Sequence, residues 1–524
     1  MSDPSTSQPA SSGTTPQASS SEDMAALAKG GRTNTLGFLI RALGGIPFLF
    51  IGYRLYGVDE MGRFAIAFVA IEIFALICAL GEKRGLAQRL TQGADEIDGP
   101  LSNLVFDGIL TSLLFSGLAC LILLAFPSII FPTGTNSDFD TWMIAAIPAI
   151  ALTEILLAAQ AYKYDIATTV RARAIVEPWL KSIGVGVFFF VPALSAGGIA
   201  LAFVVAAYGA LFTALWSFLK SYGKPHGWRP RPSYLVRMTR RALPLVGADV
   251  IERGTRLIDV FLLGQFASAG AVGIYFFAKE VVSIPQKLKT SFEPILAPVI
   301  TKNLKIGNMA AIAAQVRQVG FWIIALQFGI ALMLAIPGEA VMGLGGPDVV
   351  GGTGALAILL AAEVIGSMAV VSEGVLVYIA RKRNLAISVG VITVQGVLTV
   401  ALILIAEELG YDEGYKAAGA AMALFIALGA SSLIKAILLK SLLKAPVSNW
   451  RWALVWAAGP AVVVGFLFTE FTPEWVELAI GGPAILAVYL LVIWKRGFDE
   501  ADKVLFARNV GASDASPAAP PAAK

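Results

Sequence analysis

Five charged residues near the middle of the chain, Asp249, Glu252, Arg253, Arg256 and Asp259, stand at i, i+3, i+4, i+7 and i+10 inside an otherwise apolar stretch. On a continuous α-helix, at about 100° per residue, this spacing gathers all five into an arc of roughly 120°. A stripe of both signs at membrane depth has two readings. In the first it lines a water-filled cavity where Arg253 and Arg256 bind an anion, while the acids hold the arginines or couple to a cation. In the second it is a structural ladder, because Asp249 to Arg253 and Glu252 to Arg256 are i,i+4 pairs. The cavity reading is preferred, since a charged helix face in mid-membrane still needs a polar surface opposite it.

Other charges inside apolar segments are Arg41, Arg54, Glu72, Glu154, Lys279, Glu280, Glu363 and Glu373. Arg54 lies near a segment end, where its long stem can snorkel to water. Arg41 lies about one turn inside its segment, where snorkelling and substrate contact are equally good readings. Glu72 and Lys279 lie deeper, each a few turns after a glycine helix start (Gly62 and Gly273), and can oppose one another as a structural or a functional pair. Pro47, Pro148, Pro244, Pro285, Pro294 and Pro298 fall in or near apolar helices, where proline removes a backbone hydrogen bond and kinks the helix.

The elements that must position these groups are membrane helices. Of 524 residues, 57% are apolar and only 15% charged, and the mean hydropathy is +0.74, against about 45–50% apolar and 25% charged in soluble domains. Fourteen apolar segments lie near 36–57, 62–81, 102–126, 141–161, 174–192, 198–219, 243–266, 270–297, 318–337, 355–380, 384–406, 416–439, 452–470 and 474–494. Each is continuously apolar over about 20 residues, which suits a spanning helix and excludes the alternating strands of a β-barrel. The expected fold is all-α and polytopic, about 14 transmembrane helices in two six-helix halves plus two C-terminal helices. The corresponding divisions are a disordered tail over 1–30, halves over 31–219 and 243–440, a basic connection over 220–242, two additional helices over 441–496 and a tail over 497–524.

Orientation follows from Lys and Arg, which collect in short cytoplasmic loops. Alternate connections hold Lys83, Arg84 and Arg89; Lys163, Arg171 and Arg173; Lys220, Lys224, Arg229, Arg231, Arg237, Arg240 and Arg241; Lys302, Lys305 and Arg317; Arg381, Lys382 and Arg383; Lys440, Lys444 and Arg451; and Lys495 and Arg496. The opposite connections hold only Arg63 and Lys416 among cations. Both termini are therefore expected in the cytoplasm. The start of the chain lacks the basic, apolar and cleavage regions of a signal peptide, so the first span is expected to serve as an uncleaved signal.

Several chemistries are excluded by composition. Cys78 and Cys120 are the only cysteines and His226 the only histidine, which removes a disulfide framework, thiolate or histidine zinc sites and Ser-His-Asp catalysis. No G-x-x-x-x-G-K-[ST] phosphate loop exists, so the chain cannot hydrolyse ATP by that cradle. The outer connections are all shorter than about 20 residues, too small for the extramembrane chemistry of glycan polymerases and ligases. No enzyme activity and no cofactor is expected.

The run Gly30-Gly31-Arg32-Thr33-Asn34-Thr35-Leu36-Gly37, then Arg41-Ala42-Leu43, then Arg54-Leu55-Tyr56-Gly57-Val58-Asp59-Glu60-Met61-Gly62-Arg63-Phe64-Ala65 resembles the opening of bacterial polysaccharide-biosynthesis flippases. These form the polysaccharide-transport branch of the multidrug/oligosaccharidyl-lipid/polysaccharide exporter superfamily, with twelve or fourteen helices in two six-helix halves. The resemblance implies translocation of undecaprenyl-pyrophosphate-linked oligosaccharide across the bacterial inner membrane, with membrane lipids, glycan polymerase and export proteins as partners and no nucleic acid. It makes Arg41, Arg253 and Arg256 the pyrophosphate ligands, a role suited to the planar guanidinium fork. Asp249, Glu252, Asp259, Glu72 and Lys279 become coupling or cavity pairs. Two alternatives stay open: a cation-coupled drug or metabolite antiporter of the same superfamily, and a non-transporting scaffold of glycan assembly.

Overall fold

The computed structural model describes residues 44–498 apart from 83–84, 88, 92–100, 132–138, 231, 291–299, 301–302 and 305–306. The terminal tails and Arg41 lie outside the described residues. Those described are helical, with no strand among them. In chain order the main helices are α1 (Val58–Cys78), α2 (Leu101–Ala125), α3 (Ala146–Tyr162), α4 (Glu177–Phe189), α5 (Gly198–Tyr222), α6 (Pro232–Gly254) and α7 (Ile258–Phe266). They continue with α8 (Ala269–Thr290), α9 (Met309–Ala335), α10 (Thr353–Ile379), α11 (Arg381–Glu408), α12 (Glu413–Leu443), α13 (Ala453–Phe471) and α14 (Gly482–Val492).

Among the described residues, ten helices are long and apolar enough to cross a membrane. The chain is a multi-pass, all-α membrane protein. Three of the other apolar segments fall short for local reasons. The segment near 174–192 opens in a wide π turn over Val170–Val176 before α4. The segment near 243–266 is interrupted between α6 and α7. Helix α8 carries Lys279, Glu280, Lys287 and Lys289 and holds Pro285 within it.

The chain divides into two compact units that interleave in sequence. Of the described residues, one takes those up to Phe48 with those of Cys78–Ala119 and Ala145–Ala242; the other takes those of Leu49–Ile77 and Cys120–Ile144 and those from Leu243 on. The first is packed around Leu86, Leu90, Val105, Ile155, Leu156 and Phe218, all fully or almost fully buried. In the second, α13 and α14 close on α9 through Phe321, Leu454, Ala461, Ile485 and Tyr489.

Within the second unit, α1 crosses the start of α8 at backbone contact. A Cβ on Gly62 would stand 1.7 Å from the Ala269 carbonyl oxygen, and one on Gly273 would stand 2.3 Å from that of Val58. Only glycine allows this approach, the small-residue logic of helix packing in lipid. The Tyr53 hydroxyl donates to the Gly273 carbonyl at 2.5 Å, and Phe64 and Phe68 pack edge-on against Phe276.

Candidate functional site

The charged stripe does not lie on one continuous helix. Helix α6 ends at Gly254, a tight turn covers Thr255–Leu257, and α7 starts anew at Ile258. In the turn the amides of Arg256 and Leu257 reach back only three residues, to the carbonyls of Arg253 and Gly254, both at 3.0 Å. The expected five-residue arc assumed unbroken helical phase, and the break rotates Asp259 away from the residues before it. Half-helix ends leave backbone groups needing polar company, as in the discontinuous helices of transporters.

Asp259 sits in the first turn of α7, where a negative charge is favoured by the helix N-terminus. It is fully buried. Its carboxylate accepts from the Val260 amide at 2.8 Å, from the Tyr275 hydroxyl at 2.7 Å and from the Lys279 ammonium, the last two supplied by α8. Three donors, one of them charged, satisfy a carboxylate that would otherwise be very costly to bury.

Arg253, on the last turn of α6, pairs with Glu72 of α1 at 3.2 Å, yet its side chain stays 56% exposed. Arg256, in the turn itself, is exposed, and its side chain has no hydrogen-bonded or ion-paired partner among the described residues. Asp249 is buried and partnered. Glu252 lies on α6 with its side chain outside the described residues. The expectation that Glu72 and Lys279 oppose one another is corrected: each is paired, Glu72 with Arg253 and Lys279 with Asp259.

Arg54 does more than snorkel. Its guanidinium donates to the Gly343 and Leu344 carbonyls at 3.1 and 3.4 Å, capping the C-terminal end of the short helix Gly338–Gly343, a favourable place for a cation. The two cations expected in the acidic connections both hold carboxylates. Arg63 bonds Glu60 and lies 3.3 Å from Asp140, and Lys416 lies 3.1 Å from Glu413.

Sequence reasoning missed Arg173. Assigned to a connection, it lies in the π turn before α4 and bonds Glu154 of α3 at 2.5 Å and Glu177 of α4 at 2.7 Å. Its i,i+4 spacing to Glu177 was the available signal. Lys435 of α12, almost fully buried, was missed too; it pairs with Glu373 at 3.1 Å. Glu363 of α10 accepts from Gln286 of α8.

The helix break between α6 and α7, with the exposed guanidinium groups of Arg253 and Arg256 beside it, suits a class: polytopic membrane proteins built around a polar interior, as transporters are. Residues 27–304, just over half of the chain, match the family described as "Polysaccharide biosynthesis protein", and the chain belongs to that family. Among solved structures, its fold is similar to a lipid II flippase, MurJ, in an inward closed conformation. The TM-score is 0.67 at 12% identity, over 88% of this chain and 98% of that one. It is also similar to an inward-facing multidrug resistance transporter of the MATE family, in the MOP superfamily, with a TM-score of 0.61 at 15% identity over 77% and 95% of the two chains. A third is a MOP superfamily transporter from Pyrococcus furiosus, whose binding pocket is described as reversed in polarity; its TM-score is 0.54 at 15% identity, over 80% and 96%. At these identities the likeness concerns the fold. No curated protein sequence matches the chain.

Proposed function

We propose that this protein translocates undecaprenyl-pyrophosphate-linked oligosaccharide across the bacterial inner membrane by alternating access, with both termini in the cytoplasm, and so serves surface polysaccharide assembly. The observation that carries the reading is the pair of exposed guanidinium groups at the α6–α7 break. Arg253 keeps more than half of its side chain open while holding Glu72, and Arg256 is exposed without a partner among the described residues. A cation at this depth is tolerated where water or an anionic ligand meets it. A pyrophosphate group offers oxygens that two planar forks can grip bidentately.

In this reading Arg253 and Arg256, helped by Arg41, neutralise the diphosphate while the lipid tail stays among the membrane lipids. Asp259 plays a different part: with Tyr275 and Lys279 closed around it, it fixes the start of α7 against α8 and so aims the turn that bears Arg256. Asp249 and Glu252 then set the charge balance of the same face.

The test is the leaflet location of lipid-linked oligosaccharide in cells depleted of this protein, scored by access of an externally added glycan-cleaving enzyme. Accumulation on the inner leaflet, reversed by the wild-type chain but not by Arg256→Ala present at equal level in the membrane, is the expected result. Full reversal by Arg253→Ala and Arg256→Ala alike would remove the assigned roles. An unchanged distribution on depletion would transfer the reading to a cation-coupled antiporter.

A further inference from the structure

We propose that the surface formed by the end of α5, the connection 223–230 and the first turns of α6 is a docking platform for the headgroups of anionic phospholipids. Three observations lead there, and all concern the first compact unit.

The first is charge without compensation. From Pro178 to Ala248 the sequence contains no Asp or Glu. Within that stretch Lys220, Lys224, Arg229, Arg237 and Arg240 are all exposed. Some cations elsewhere behave differently: Arg63 and Lys416, and Arg173 within the same unit, each hold carboxylates. The five platform cations make no ion pair among the described residues. The acid nearest the connection, Asp107 of α2, is engaged by the Trp228 indole N–H at 2.9 Å.

The second is order. A polybasic loop that is merely solvated has no reason to be tied down, but this one is fastened along its length. Asn103 donates to the His226 carbonyl at 3.1 Å, Lys163 to the Ser221 carbonyl at 2.6 Å, and the Tyr222 hydroxyl to the Ala159 carbonyl at 2.6 Å. Trp228 is also wedged against Phe106. The backbone is therefore held in one shape while Lys224 and Arg229 project from it.

The third is amphipathic placement. In the first turns of α6, Val236 is 69% exposed, beside exposed Arg237 and Arg240. Apolar side chains interleaved with arginines suit the boundary between acyl chains and headgroups. Clusters of this size immediately beside a spanning helix are the usual signature of anionic-lipid recognition, and their attraction fades within a Debye length. A soluble acidic protein would find the same charge but would leave Val236 in water, so the observations favour a lipid surface.

The experiment uses the full chain in detergent, where membrane insertion plays no part, titrated with mixed micelles containing phosphatidylglycerol or phosphatidylcholine. Lipid retained per chain and the melting temperature are both read. The expected result is a several-fold preference for phosphatidylglycerol that collapses in 0.5 M salt and in the variant Lys224→Gln/Arg229→Gln/Arg237→Gln/Arg240→Gln. The preference should persist in Arg229→Lys/Arg237→Lys/Arg240→Lys, which keeps the charge, and in Arg381→Gln/Lys382→Gln/Arg383→Gln, which removes cations of the other unit. Equal retention of the two lipids by the wild type, or an undiminished preference in the fourfold Gln variant, would overturn the proposal. Displacement of the bound lipid by millimolar inorganic pyrophosphate would also overturn it, because the patch would then be a small-anion site. Should the fourfold variant not fold, Lys224→Gln/Arg229→Gln, which touches only the connection, must still lower the preference.

Discussion

Arg173 and the Arg253/Arg256 pair are arginines in apolar surroundings, and their environments are opposite. Arg173 is 17% exposed and clamped between two carboxylates on neighbouring helices. Arg253 is 56% exposed on a single carboxylate, and Arg256, exposed in the turn between α6 and α7, has none among the described residues. Burial and partner number together separate a cation that closes a structure from one that waits for a ligand. A guanidinium held between two carboxylates has its charge already balanced and offers little to a phosphate. An unsaturated one at membrane depth is affordable only where something else meets it.

The largest expected effect breaks the comparison at Arg256. Arg256→Ala removes a two-pronged charge-assisted contact, worth roughly 1.5–3 kcal/mol per bond, so translocation should fall by about a hundredfold or more. Its melting temperature should match the wild type, because its side chain has no partner among the described residues. A melting temperature several degrees lower would place Arg256 with the structural arginines.

Arg173→Ala should do the reverse. It leaves Glu154 and Glu177 facing each other without a counter-charge, a change that costs about 3–5 kcal/mol when fully buried. Here the acids are 32% and 24% exposed, so a loss of about 2 kcal/mol is expected, read as a lower thermal midpoint in detergent. Adding Glu154→Gln and Glu177→Gln should restore most of it. No recovery in the triple variant would show that Arg173 does more than balance those two acids.

Arg171 is the control in water. Its side chain is 57% exposed, as open as Arg253, and stands 4.0 Å from Asp165. Here the acid matters more than the cation. Asp165 caps the helix Ile166–Thr169, accepting from the Thr168 amide at 3.2 Å and its hydroxyl at 2.6 Å. Partial burial pushes its carboxyl up, but these bonds, Arg171 and Ser217 outweigh burial and hold it below the usual carboxylate value. A carboxylate held low stabilises the fold above its ordinary titration range, and that contribution disappears as pH falls through its folded value. Asp165→Ala should therefore cost about 1 kcal/mol at neutral pH, and the difference from wild type should vanish in strong acid. Arg171→Ala should change little at any pH.

Much of the fold was legible because hydropathy is a statement about solvent, and solvent acts on each segment separately. The apolar runs that became α2, α5, α9 and α10 needed no tertiary knowledge. The site was legible in its residues but not in its pairings. Nothing local says that Glu72 meets Arg253 rather than Lys279, because the choice depends on the depth at which α1 passes α6 and α8. The break after Gly254 was equally hidden: Gly254-Thr255 is a weak stop signal with no proline near it, so the five charges read as one face. Arg173 was misplaced because its basic neighbours resemble a loop, whereas the π turn carries it inward to Glu154.

The smallest expected effect sharpens the comparison at Glu72. If Arg253 is held loosely so that a ligand can take it, Glu72→Gln should cost little stability. A half-open ion pair contributes about 1 kcal/mol or less, and the Gln amide oxygen can still accept from the guanidinium. Binding should move the other way. Without a competing carboxylate, Arg253 is freer to meet a diphosphate, so retention of a diphosphate-bearing lipid by the purified chain should rise by a few fold, while release, and with it turnover, slows. Thermal melting and lipid retention measured on the same preparation read both effects. A stability loss comparable to that of Arg173→Ala would mean that the Glu72–Arg253 pair is a second structural clamp, and the distinction between the two regions would then rest on Arg256 alone.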